Sequence, residues 1–171
     1  MFAAYNAWAN ERLYACAARA TPEALREHRG AFFGSLLGTL NHLLVTDRLW
    51  MARLEEGTSP RGTRLDEVLF EDLDELRAAR RAEDRRIVGF VEGLSEERLA
   101  GPLAYATSSG APHTQPLHEV LAHLFNHQTH HRGQVHHLTG LILGKERTPV
   151  LDLLAFHRSR AAAATAAEAR R

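Results

Sequence analysis

Histidine is the residue type with the most chemistry to offer in this chain, and it is unevenly placed. Positions 125–137 read FNHQTHHRGQVHH and hold five of the chain's eleven histidines. A neutral imidazole presents one lone pair to a divalent cation or a proton, so such a cluster is a metal site, a solvated polar face or an accident of composition. A helical projection at about 100° per residue separates these readings. Leu117, Val120, Leu121, Leu124, Val135, Leu138 and Ile142 gather in one arc. Relative to its centre His131 falls within roughly 20°, His127 at roughly 60° and His123 at roughly 100°. His130 and His137 lie roughly 120° or more away, and His118 and His136 about as far, which assigns those four to solvent or to a subunit contact.

His127 and His131 are four residues apart on one inward face, a spacing that lets both rings reach a single cation through Nε2 or Nδ1. Two neutral imidazoles rarely hold a divalent ion against water, so a third ligand is needed. His42, in TLNHLLVTDRLW, is the best candidate: Gly38, Val45 and Leu49 share its side of the wheel, and an imidazole there is costly without a partner. By itself such a histidine is ordinarily a hydrogen-bonded core residue; an inward pair on another long helix reverses that preference. The zincin-like HEVLAH does not compete, because His123 follows His118 by five residues instead of four and His118 faces outward. Gln128 follows His127, so the pair supplies no glutamate base.

Three neutral imidazoles leave a cation with an open position, where a water or thiol becomes a nucleophile near neutral pH. That is the requirement of a metal-dependent enzyme. No pocket for a thiol cofactor is legible, which ranks hydrolase-type chemistry just ahead of thiol S-transfer. The alternative, a non-catalytic metal-binding stress-response protein, predicts a closed shell with a fourth protein ligand such as Asp47 turning in. A plain helical dimerisation module is a third reading. Gln134, near the edge of the arc, is placed to hydrogen-bond a ligand or bound water. Asn41, Asn126 and Arg132 project off the inward faces and are expected to pair across helices, and Gly133 projects opposite the arc. Because each ligand must be neutral and the ordinary histidine pKa is about 6.5, metal occupancy is expected to fall between roughly pH 7 and pH 5.

The elements that must hold these side chains are also legible. Ala4, Trp8, Leu13 and Ala15 mark a first helix over 3–19, ended by Thr21-Pro22. Leu36, Leu40, Leu43, Asp47, Trp50 and Leu54 mark a second over about 32–55, stopped by Gly57. A third, over 70–94, opens with acidic residues and continues with arginines, and reads as mostly a solvated face. AGPLAYATSSGAPHTQ, 100–115, reads as a loop or small hairpin. A fourth helix runs over 116–143 to Gly144, and a fifth follows Pro149 into an Ala-rich tail. The expected fold is all-α: a single domain over 1–171, an up-and-down four-helix bundle with an added C-terminal helix. With 171 residues the chain has core enough to make a metal functional before structural. Basic and acidic residues balance at 21 each, and no basic patch points to nucleic acid. A lone Cys16 fits a reducing cytosol, the first twenty residues do not look like a signal peptide, and no apolar run approaches a membrane span, so a cytoplasmic protein is expected.

YNAWANERL at 5–13, GTLNHLLVTDRLWMARL at 38–54, HLFNHQTHHRGQVHHL at 123–138 and LDLLAFHR at 151–158 strongly resemble the DinB (damage-inducible) family of DinB/YfiT-like metalloenzymes. The likeness covers nearly the whole chain in order, and NHQTHHRGQ is its most specific part. It implies a four-helix bundle holding a divalent metal, nickel or zinc, on three histidines, here His42, His127 and His131. It also implies a small-molecule substrate, with a low-molecular-weight thiol as partner in some relatives, and a homodimer formed through long helices.

Overall fold

Helix ends are set by small side chains at the positions where backbone N–H groups lack partners. The computed structural model describes residues 1–168. Helix α1 spans Phe2–Ala17. Thr21 caps the single turn α2 (Pro22–Arg26), its Oγ1 accepting the N–H of Ala24. Ser35 caps α3 (Leu36–Glu56) by accepting from Gly38, and Gly57, at φ 70°, ends it in the left-handed conformation that glycine adopts without strain. Asp72 caps α4 (Leu73–Glu92) through the N–H groups of Asp74 and Glu75. A short α5 (Glu96–Ala100) leads into strands β1 (Pro102–Ala106) and β2 (Pro112–Pro116), and then come α6 (Leu117–Leu143), a 3-10 turn at Lys145–Arg147 and α7 (Leu153–Glu168). The last three residues of the expected fifth helix, 169–171, lie outside the described residues.

Two expectations need correction. The fold is mostly helical but not purely all-α, because 102–116 forms an antiparallel hairpin with Leu103 opposite Gln115 and Tyr105 opposite His113. Alternation is the cause: Leu103 and Tyr105 point inward and are buried against Met51, Leu54, Ile87 and Leu124, while β2 is exposed throughout. The expected second helix begins at Leu36 and not at 32, since Gly34 and the Ser35 cap break it first.

Helix α1 packs on α4 and α6, and α3 packs on the same two, so four long helices surround one core. Leu13, Leu40, Leu44, Leu76 and Leu138 fill one half, and Met51, Leu54, Ile87, Leu117 and Leu124 the other. Between them lies a polar layer, so the reading of α4 as mostly a solvated face holds for Asp74, Glu75, Arg81 and Arg85 but not for Arg80, Glu83 and Asp84, which are buried. Arg80 is 2% exposed and donates to Asp47 at 2.6 Å; Asp84, on the same helix, lies 3.0 Å from Arg80. Asn6 and Asn10 of α1 donate to Asp84, Gln128 of α6 donates to Asp47 at 2.8 Å, and Arg132 donates to Asn6. Two arginines thus balance two aspartates, which is how buried charge becomes tolerable. Among the described residues no helix is long and apolar enough to cross a membrane.

Candidate metal centre

Packing α3 against α6 brings His42 into the space above the His127–His131 pair, where one nitrogen from each ring lies within 4.8 Å of the other two. Nε2 of His42 stands 3.3 Å from Nε2 of His131 and 3.4 Å from Nε2 of His127. The outer nitrogens explain which way the rings face. His42 Nδ1 is 2.7 Å from the Leu65 carbonyl oxygen and His131 Nδ1 is 2.8 Å from Gln134 Oε1, so each Nδ1 carries the proton and donates. Both Nε2 atoms are then bare lone pairs pointing at one another. Facing lone pairs at 3.3 Å repel unless a cation lies between them.

A proton is disfavoured as that cation. Burial, followed for His127 by the neighbouring histidines, holds the imidazolium forms down: His42 falls to about 4 and His127 to about 3, and burial lowers His131 as well. A divalent metal fits better. Bonds of about 2.0–2.1 Å at a tetrahedral angle place ligand nitrogens about 3.4 Å apart, the separation these rings already have. Among the described residues no hard carboxylate oxygen joins the three-nitrogen set, which suits a cation of the zinc or nickel kind.

Phe33 closes one side of the cluster, stacked on His42 with centroids 3.6 Å apart and edge-on to His131 at 5.5 Å. His42 is 2% exposed and His131 9%, but His127 is only half-buried. The open side therefore faces His127, with His123 beside it at 6.1 Å and Trp50 beyond at 5.0 Å from His123.

The outward assignments fare as follows. His118, His123, His130 and His137 are exposed, while His136 is half-buried with Nε2 3.1 Å from the Pro149 carbonyl oxygen. Gln134 bonds His131, and its amide is itself fixed by His130 at 3.3 Å. Asp47 does not turn toward the histidines; its Oδ2 is taken by Arg80 and Gln128. Asn41 is fully buried and pins the segment before α4, donating to the Phe70 carbonyl and accepting its N–H, both at 3.0 Å. Arg132 is buried and pairs across helices with Asn6, as expected of it, and also bonds Thr129. Asn126 and Gly133 are exposed. Sequence reasoning missed Phe33 and the Leu65 carbonyl. Phe33 stands two residues before a readable helix cap, but a backbone carbonyl in a loop leaves no trace in residue type.

A mostly helical fold that turns three imidazole nitrogens from two helices toward one point, with one side left open, is that of a helical histidine-cluster protein. The DinB family model matches residues 1–166, and the chain belongs to that family. It is 25% identical over 136 residues to the protein named Protein DinB of Bacillus subtilis (strain 168), across 77% of this chain and 78% of that one. It also resembles the crystal structure of a DinB-like protein from Bacillus cereus ATCC 10987, with a TM-score of 0.54 and 21% identity over 76% of this chain and 83% of that chain. At that identity the second likeness is one of fold.

Proposed function

We propose that the chain is a divalent-metal-dependent enzyme in which His42, His127 and His131 are the ligands and the open side beside His127 receives the reacting molecule. The observation that carries this is the pair of opposed Nε2 lone pairs, each turned inward by a donor bond from its own Nδ1. A divalent cation held by three neutral imidazoles supplies Lewis acidity, lowering the pKa of a water or thiol toward neutrality. The chain's own residues do the rest. The Leu65 carbonyl and Gln134 fix the His42 and His131 rings, Phe33 excludes water from the back of the cluster, and burial keeps the imidazoles uncharged. Among the described residues no carboxylate joins the cluster, so a nucleophile activated here depends on the cation and not on a neighbouring base.

Hydrolase-type chemistry and thiol S-transfer both follow from this arrangement, differing in which molecule takes the open side. The non-catalytic alternative needs a fourth protein ligand, and Asp47 is committed elsewhere. Elemental analysis of untagged protein, followed by nickel- and zinc-loaded assays with ester and thiol substrates, tests the reading. One equivalent of metal with turnover that disappears on chelation supports it; protein that binds no metal under any loading overturns it.

The same reading takes the chain as a homodimer. Phe2, 48% exposed, lies against Phe125 with tilted rings 5.9 Å apart, beside Leu99, Leu121 and Ala122, leaving an apolar depression along the outer face of α6. Light scattering at twice 19.1 kDa is expected, and the monomer mass across a concentration series rejects it.

A further inference from the structure

Arg53 is 8% exposed, yet no carboxylate of the described residues pairs with it. Its guanidinium carbon sits 4.3 Å over the Trp50 ring and 5.4 Å from that of Tyr105. Nε donates to Ser59 Oγ at 2.7 Å, and Ser59 in turn donates to the Ala106 carbonyl. These contacts account for the faces of the guanidinium and for one of its edges. The two Nη nitrogens have no hydrogen-bond partner among the described residues, and neither is sealed from solvent. A cation this buried is costly without an anion, and its free edge has the fork shape that a carboxylate matches.

Its position matters as much as its charge. Arg53 follows His42 by eleven residues on α3, three turns later and within about 20° on the same face. The rise alone gives about 16 Å along the axis, and the Arg53 guanidinium, seated over the Trp50 ring three residues earlier, lies at the end of that span nearer the histidines. A continuous wall fills that interval: His127, His123 at 6.1 Å from it, Trp50 at 5.0 Å from His123, then Arg53. This is the open side of the histidine cluster.

We propose that Arg53 binds a carboxylate at the far end of an elongated organic acid whose near end reaches the three-histidine centre, with Trp50 and His123 lining the path between. The substrate class is an elongated organic anion able to bridge about three helical turns, at most about 16 Å and roughly the reach of a short extended peptide. The inference rests on the open metal position proposed above.

The test uses cobalt-loaded protein carrying Trp8→Phe, so that Trp50 is the remaining indole. The probes are N-acetylated Cys-Gly-Gly-Gly with a free carboxylate and the same peptide as its amide. Thiolate-to-cobalt absorption reports the metal end, and Trp50 fluorescence reports the Arg53 end. The acid is expected to bind about tenfold tighter than the amide and to change Trp50 emission. Arg53→Met should erase that preference, and Arg53→Lys, which keeps the charge if the hairpin needs it, should retain part of it. N-acetylcysteine, too short to span, should show no preference over its amide. Equal binding of acid and amide by the unsubstituted Arg53 protein overturns the inference while leaving the metal reading intact. Acid-dependent fluorescence without a thiolate band does the reverse, placing the carboxylate at Arg53 and removing the open metal position.

Discussion

In the three-histidine cluster the side chains divide into those that offer a lone pair and those that aim it. His42, His127 and His131 converge, so replacing any one with alanine should remove most bound metal, whereas His130→Ala and His136→Ala should retain it. Elemental analysis of the five variants decides this, and full occupancy in His131→Ala contradicts it. Gln134 aims without ligating. Gln134→Leu should weaken metal affinity by about 10- to 100-fold, measured by competition with a chelator, without changing the number of ions bound. The three histidines were legible because an i, i+4 pair and an apolar arc can be counted along a chain. Their aiming groups were legible only in part. Gln134 lies one turn from His131 and could be placed, but Leu65 contributes a carbonyl that any residue type would supply, and Phe33 acts by its position in a loop.

Among the elements, the polar layer across α1, α3, α4 and α6 fixes how the histidine helices meet. Asp47 on α3 and Gln128 on α6 bond directly, at the level between the two apolar halves. Arg80→Met leaves Asp47 and Asp84 buried beside no arginine of α4, and a loss of about 3–5 kcal/mol in urea unfolding is expected. Adding Asp47→Asn should recover part of it by removing one stranded charge. An unchanged midpoint in Arg80→Met would mean the layer contributes register and little stability. Helix boundaries could be read from Thr21, Ser35, Gly57 and Asp72, whose side chains act within a few residues. The layer could not. The run of Arg, Glu and Asp on α4 has the composition of a solvated face, and what buries Arg80 and Asp84 is Asn10 and Asp47, more than thirty residues away in the chain.

For the whole molecule, the depressed histidine values alter the expected response to acid. With an ordinary pKa of 6.5, protons would displace metal between about pH 7 and pH 5; His42 at about 4 and His127 at about 3 stay neutral through that range, so release moves below about pH 5. Their effect on folding has the same sign. A base held below its unfolded value contributes stability that is complete above about pH 6.5 and is lost as pH falls toward the folded pKa. Asp47, raised by burial from 3.8 to about 6, and Asp84, raised by burial as well, work the other way and favour the fold as pH falls toward 3.8, but they are two groups against three. Circular dichroism with metal release should therefore show helicity and occupancy intact at pH 5.5 and both failing nearer pH 4. Chelation at pH 7.5 should strip the metal and leave the helices, because the apolar halves and the polar layer hold them. The central claim, three imidazoles around one cation with an open side, is tested most directly by X-ray absorption of the zinc-loaded protein before and after adding a small thiol. The expected spectrum has three imidazole nitrogens at about 2.0–2.1 Å and a lighter fourth ligand that is replaced by sulfur at about 2.3 Å. A fourth protein ligand that the thiol cannot displace, or fewer than three imidazoles, would contradict it.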